Sequence, residues 1–356
     1  MKNGVATVAQ LAEFDEIIDV RSPLEFAEDH IPGAINCPVL NDEQRAEVGT
    51  LYKQVSPFEA KKLGAAYISA NIAAHLRERF LDRPKGWKPL IACWRGGMRS
   101  GAMVTVFRSI GWNAQQLEGG YKAYRHMVVA DLETLPPRFA WKVVAGATGS
   151  GKSRVLHHLA AAGAQVLDLE ALACHKGSVL GVLPGAPQPS QKWFETGLRQ
   201  ALQGFDPARP VYVEAESRKI GKVHVPEALI TAIRGGACRV VSATVPARVD
   251  FLLRDYDYFL TDPNWLIERL AGLKALRGGE TIARWTALVQ AGDFRTLVEE
   301  LLTGHYDPLY AASQDRNYSG LATSRDYAAD DLSEAGIATL AAAILADDAR
   351  DAALTT

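Results

Sequence analysis

Short apolar runs alternate with longer segments of helical spacing along the first part of the chain. Glu16-Ile-Ile-Asp-Val20 reads as a short buried strand, and Pro89-Leu-Ile-Ala92 as a second that ends directly at Cys93. Ser100–Ile110 has the spacing of a helix, and Gln115-Gln-Leu-Glu118 is a further strand before Gly119 and Gly120. Strands separated by helices predict a parallel α/β sheet. Leu135-Pro-Pro-Arg-Phe139 breaks the pattern as a linker would. A second α/β unit opens at Trp141-Lys-Val-Val-Ala145, with strands expected at Gln165–Leu169, Pro210–Glu214 and Cys238–Ala243. After about Tyr258 the pattern is mainly helical, in Ala- and Leu-rich amphipathic runs. The expected organisation is an α/β domain over 1–134, a second over 140–257 and a helical region over 258–356.

Composition narrows the class. The 356 residues are 48% hydrophobic and 22% charged, as in ordinary globular proteins. No apolar run reaches the roughly 18 residues needed to span a membrane, and the first 20 residues lack the basic-then-apolar layout of a signal peptide. The four cysteines, Cys37, Cys93, Cys174 and Cys238, have no metal-ligand spacing, which fits a reduced compartment. A cytoplasmic protein with no membrane partner is expected. Net charge is −2, but residues 285–356 hold 4 Lys+Arg and 12 Asp+Glu, a net of −8, so the rest carries +6. A polyanion is expected on the first 284 residues, away from the tail.

The chemistry starts at Leu90-Ile-Ala-Cys-Trp-Arg-Gly-Gly-Met-Arg-Ser100. A strand stops, a cysteine and a glycine turn follow, and a helix begins. Such a turn lets backbone N–H groups converge on one point, and the helix N-terminus adds partial positive charge. Arg95 and Arg99 add full charges, so Cys93 is expected to be largely thiolate, as nucleophile and carrier. A buried structural cysteine would explain neither the arginines nor the glycines; Cys37, Cys174 and Cys238 read as core or incidental. Asp19-Val-Arg-Ser-Pro-Leu-Glu-Phe26 and His30-Ile-Pro-Gly-Ala34, together with the loop, resemble the rhodanese domain over roughly Val5–Val129. That resemblance implies a perthio or perseleno group on Cys93. The spacing is C-x5-R, however, where common single-domain rhodaneses have C-x4-R. The longer loop resembles that of rhodanese-fold phosphatases, which cradle a tetrahedral anion.

Gly146-Ala-Thr-Gly-Ser-Gly-Lys-Ser153 matches G-x-x-x-x-G-K-[ST] at every fixed position, with a strand before and a helix expected over Arg154–Ala162. Backbone N–H groups from Thr148 through Gly149, Ser150 and Gly151 to Ser153 are expected to cradle phosphate. Lys152 would neutralise charge, and Ser153 would sit on Mg²⁺ or a second phosphate. Glu214, ending the apolar Val211-Tyr-Val-Glu214, is the better candidate for the acid of this site, with Asp168 the other. The loop recognises phosphates, not adenine, so ATP is one candidate among several.

Arg218, Lys219, Lys222 and Arg254 form a basic tendency that reads as an RNA-phosphate surface, against ordinary helix-surface charge. Cys174-His-Lys-Gly-Ser178 and Gln188–Glu195 read as a lid or substrate loop, with His175 a loop hydrogen-bonder and Trp193 and Phe194 core residues. His305-Tyr-Asp-Pro-Leu-Tyr310 suggests only a helix-ending turn.

The order of these modules is itself distinctive. Cys93–Ser100, the insert Val48-Gly-Thr-Leu-Tyr-Lys-Gln54, Gly146–Ser153, Val213-Glu-Ala-Glu-Ser-Arg-Lys-Ile-Gly221 and His305–Tyr310 resemble the bacterial tRNA 2-selenouridine synthase family over nearly the whole chain. Lys176 stands where that family leads one to expect arginine. The resemblance implies replacement of sulfur by selenium at the wobble 2-thiouridine of certain tRNAs. Selenophosphate is then the donor, and geranyl diphosphate first alkylates the sulfur. It implies no tightly bound cofactor, the tRNA anticodon loop as partner, and a selenophosphate-supplying enzyme as a second candidate partner. An ATP-dependent tRNA sulfurtransferase and a phosphatase fused to a kinase-like domain are the alternatives.

Overall fold

The computed structural model describes residues 4–310 and 318–355. The chain divides into two compact units, Met1–Asp131 and Leu132–Thr356.

The first unit is a parallel sheet wrapped by helices. Its elements are β1 (Val5–Ala6), β2 (Glu16–Asp19), α1 (Pro23–Glu28), β3 (Ile35–Asn36), α2 (Asp42–Gln54), α3 (Pro57–His75), β4 (Pro89–Ala92), α4 (Met98–Ile110), β5 (Gln115–Leu117) and α5 (Gly120–Thr134). Strand order is β1-β5-β4-β2-β3, every pairing parallel. The central strand β4 is buried throughout, as a strand covered by helices on both faces must be. Ile18, Leu90 and Ile91 are fully buried, each contributing about 1.5–3 kcal/mol by leaving water. The Val48–Gln54 insert lies within α2.

The Asp-Val-Arg motif lies inside this core. Arg21 and Asp19 are each 1% exposed. Arg21 Nε donates to both Asp19 carboxylate oxygens, at 3.0 and 2.9 Å, and Nη2 donates to Oδ2 at 2.6 Å. Nη2 also reaches the Asp29 carbonyl at 2.6 Å, while the Tyr121 hydroxyl donates to Asp29 Oδ2 at 2.6 Å. The guanidinium carbon lies 3.8 Å from the centre of the Tyr121 ring. A buried charge pair is tolerable only when satisfied in this way.

The second unit contains β6 (Trp141–Ala145), α6 (Lys152–Ala161), β7 (Gln165–Leu167), α7 (Leu169–Ala173), α8 (Gln191–Gly204), β8 (Val211–Glu214), β9 (Lys219–Ile220), β10 (Val223–His224), α9 (Glu227–Arg234) and β11 (Ala237–Ser242). Helices α10 (Val245–Asp255), α11 (Asp257–Thr261), α12 (Pro263–Ala271), α13 (Lys274–Arg277), α14 (Gly279–Gln290) and α15 (Phe294–Leu301) follow, then β12 (Arg325–Ala328) and α16 (Glu334–Thr355). The sheet order is β12-β11-β6-β8-β7, all parallel, with β9 and β10 a separate antiparallel hairpin.

Three expectations shift. The strand expected to run to Leu169 stops at Leu167, because Asp168 caps α7 by accepting from Ala171 N at 2.7 Å. The 135–139 linker forms a 3-10 turn, Pro136–Arg138, whose Pro136 carbonyl accepts from Trp141 Nε1. The helical tail is not separate from the second α/β unit: β12 pairs with β11, and Ile337, Leu340 and Ile344 of α16 pack on Val155, Leu156 and Leu159 of α6. The tail's acids follow suit. Asp348 is buried, holding Arg239 at 3.0 Å through Nε, Tyr212 at 2.7 Å and Lys142 at 3.1 Å, so part of the acidic excess is internal pairing rather than a solvated face.

Candidate active sites

In the first unit, Cys93 sits where β4 ends, 3% exposed. Gly96, at φ 64°, turns the chain, and Gly97 N–H donates to Cys93 Sγ at 3.3 Å. The Ser100 hydroxyl, one turn into α4, donates to Sγ at 3.0 Å. Gln116 Nε2 donates to Ser100 Oγ and to the Gly97 carbonyl, both at 2.8 Å. The serine oxygen is thus an acceptor already, and its own proton faces the sulfur at 3.0 Å and the Gly97 carbonyl at 3.3 Å. The loop is also packed from behind, since a Cβ on Gly120 would lie 2.2 Å from the Cys93 carbonyl and 2.5 Å from Gly96 N.

The two arginines have different settings. Arg95 is exposed. Arg99 is held by Glu25, with Nη1 at 2.7 Å and Nη2 at 3.3 Å. Glu25 is placed by Ser22, which caps α1 in a box closed by the Glu25 carboxylate. Burial alone would raise the Glu25 carboxyl, but Arg99 outweighs it and holds the group below its usual range. The Asp-Val-Arg-Ser-Pro-x-Glu segment therefore aims the arginine of the cysteine loop, a role not visible in either motif alone.

In the second unit, the loop between β6 and α6 turns through Gly149 and Gly151, at φ 80° and 81°. Lys152 Nζ donates to the loop carbonyls of Gly146 and Ala147 at 2.8 and 3.3 Å. The Ser150 hydroxyl is buried with no partner among the described residues. The Ser153 hydroxyl donates to Glu170 Oε2 at 2.6 Å, and Glu214 Oε1 accepts from Glu170 N at 2.9 Å. Glu214 thus stands at its strand end as expected. Glu170, the residue against Ser153, was missed; the signal was its position just after the β7 strand. Asp168 caps α7 and takes the His157 ring at 3.1 Å.

Burial governs this pocket's protons. Burial, with Glu170 next, raises Glu216 to about 7. It lifts Glu214 and Glu170 as well, and lowers Lys152 against the pull of Glu170 and Glu216. Three carboxyls and one lysine here share fewer charges than they would in water. His175 is 4% exposed; its backbone N–H donates to the Glu170 carbonyl at 3.0 Å, and its Nδ1 lacks a partner among the described residues.

These groups line a cavity of about 630 Å³ that includes Lys152, Ser153, Glu170, His175 and Glu216. A second, apolar cavity of about 70 Å³ adjoins it, with Phe259, Leu266, Leu297 and Leu301 in its wall. Thr148, Leu252, Tyr256 and Tyr306 border both. The His305–Tyr310 segment serves this region rather than merely ending a helix. Asp307 grips Arg248 at 2.6 Å, and Arg248 Nε donates to the Thr148 carbonyl at 2.8 Å. His305 Nδ1 accepts from Arg277 Nε at 2.8 Å.

The proposed RNA contacts scatter. Lys219 and Lys222 are exposed on the β9–β10 hairpin. Arg218, also exposed, meets Glu227 at 3.0 Å. Arg254 donates to the Leu332 carbonyl at 2.8 Å and is not part of that hairpin. Cys37 and Cys238 are buried, as is Phe194.

The rhodanese-like domain family matches residues 5–127, and the tRNA 2-selenouridine synthase AAA domain matches residues 139–268. The tRNA 2-selenouridine synthase of Marinobacter nauticus is 33% identical over 326 residues, 83% of this chain and 87% of its own. This chain belongs to the tRNA 2-selenouridine synthase family. The family member from Cupriavidus necator is 32% identical, over 88% of this chain and 92% of its own, and that from Nitrosomonas europaea 37%, over 71% and 66%. The first match holds the cysteine loop with Glu25, and the second holds the P-loop with Glu170, Glu214 and Glu216. His305–Tyr310 lies beyond both matches. No helix among the described residues is long and apolar enough to cross a membrane.

Proposed function

We propose that this protein replaces the sulfur of wobble 2-thiouridine in tRNA with selenium, by geranylating the sulfur and then displacing the thioether with selenium from selenophosphate. The observation that carries the geranyl step is the apolar cavity opening beside the P-loop. A P-loop accounts for a diphosphate, while a nucleotide base does not call for a pocket walled by Phe259, Leu266, Leu297 and Leu301. In the first step, the 2-thio sulfur attacks C1 of the allylic chain, the C–O bond breaks, and diphosphate leaves with the electron pair. Lys152 and the loop N–H groups stabilise that charge as it develops. Ser153 and Glu170 are the pair that would hold a Mg²⁺ against the phosphates, where it would supply further positive charge. Alkylation turns a poor leaving group at C2 into a good one. In the second step, selenium adds at C2 and the geranyl thiolate departs, with Cys93, Arg95 and Arg99 serving the donor anion. A wobble base lies in a single-stranded loop and reaches a pocket without melting a duplex.

The reading is tested by mass spectrometry of thiolated tRNA supplied with geranyl diphosphate and then selenophosphate. Cys93→Ser should still geranylate and should not selenate; Lys152→Ala should geranylate poorly. Normal selenation by Cys93→Ser would remove the cysteine from the mechanism. A need for ATP in place of geranyl diphosphate would favour the sulfurtransferase.

A further inference from the structure

Selenium in selenophosphate is already at the oxidation level of selenide. Placing it on a cysteine as a selenylsulfide needs a two-electron oxidant, and nothing in the proposed reaction supplies one. The phosphorus offers a balanced route. Cys93 is followed by C-x5-R-S, ending in Arg99 and Ser100, and the structure gives the serine a definite task. Its hydroxyl lies 3.0 Å from Cys93 Sγ, nearer than its other acceptor, the Gly97 carbonyl at 3.3 Å, and its oxygen accepts from Gln116. Gly97 N–H is the second donor to the sulfur. Two donors on one buried sulfur suit a thiolate that must act as a leaving group as well as a nucleophile. Glu25 uses two N–H groups of Arg99, and a guanidinium has five.

We propose that Cys93 accepts the phosphoryl group of selenophosphate, not its selenium. The thiolate attacks phosphorus, an S–P bond forms, and the P–Se bond breaks with its electron pair leaving on selenium. The selenide released is the nucleophile for C2 of the geranylated base. Water then attacks the cysteinyl phosphate, releasing inorganic phosphate and restoring the thiolate, whose charge Ser100 and Gly97 receive. The sum is selenophosphate plus water giving selenide plus phosphate, with no redox change. This rests on selenophosphate being the donor, as proposed above.

The test uses the full chain and selenophosphate labelled, in separate preparations, at phosphorus or at selenium. In Ser100→Ala the thiolate loses a charge-assisted donor as leaving group, so phosphate release should slow about 10- to 100-fold. Phosphorus label should then accumulate on Cys93, approaching one per chain, and Cys93→Ser should retain neither label. Orthovanadate, which mimics a five-coordinate phosphorus, should block selenide release by the wild-type protein; this arm does not depend on the variant folding. Selenium label held on Cys93 with phosphorus free in solution would overturn the proposal, as would indifference to vanadate. If wild-type protein passes neither label on and leaves selenophosphate intact, the donor assignment itself fails.

Discussion

The Glu216 carboxyl connects the P-loop pocket to stability, and Glu216→Gln exposes the link. Burial raises this group from 4.5 to about 7, with Glu170 next in effect and Lys152 opposing. Glu214 and Tyr318 also act within its surroundings. Between pH 4.5 and about 7, the folded protein keeps a proton that the unfolded chain has released. Stability therefore falls as pH rises through that window, and the full loss is present above it. At 1.36 kcal/mol per unit, the loss at pH 8 is on the order of 3–4 kcal/mol. Glutamine keeps the shape and never ionises. The variant should match the parent near pH 5 and be more stable at pH 8 by that amount. Hydrogen exchange of the β6 and β8 amides, compared at the same pH, should then slow roughly 150- to 900-fold in the variant at pH 8. Equal exchange differences at both pH values would show that Glu216 does not carry the buried charge.

Asp19→Asn leaves the Arg21 guanidinium buried beside a neutral group, which should cost about 3–5 kcal/mol; exchange protection of β4 should fall accordingly, while β8 is unaffected. Alanine at Arg218, Lys219 and Lys222 together should weaken tRNA binding and flatten its salt dependence by about one unit for each phosphate no longer neutralised, so an unchanged slope would place tRNA elsewhere. The apolar cavity of about 70 Å³ has room for roughly five to seven water-sized atoms, enough for the distal isoprene unit of a geranyl chain. Dimethylallyl diphosphate should therefore be used at least about 10-fold less well than geranyl diphosphate. Val298→Phe, which fills the wall, should narrow that ratio, and the ratio within one preparation does not depend on how much of it is folded.

Sequence alone determined the two reactive loops and the strands that feed them. Both loops are local: their conformations are written in consecutive residues, with Gly96, Gly149 and Gly151 supplying the positive φ angles that other residues resist. The parallel α/β class was legible for the same reason, since buried strands such as β4 and β8 are short apolar runs. The polar edge strand β12, Arg325-Asp-Tyr-Ala328, has no such run, and only its pairing with β11 makes it a strand. What the loops work with came from residues far away in the chain. Glu25 meets Arg99 across 74 positions, Arg248 reaches the P-loop carbonyl of Thr148 across 100, and Glu170 at the start of α7 meets Ser153 at the start of α6 across 17. The apolar cavity is made by side chains of α10, α11, α12 and α15 that no periodicity distinguishes from ordinary core. Hydrophobic spacing states that a side chain is buried, and only the assembled fold decides what it is buried against.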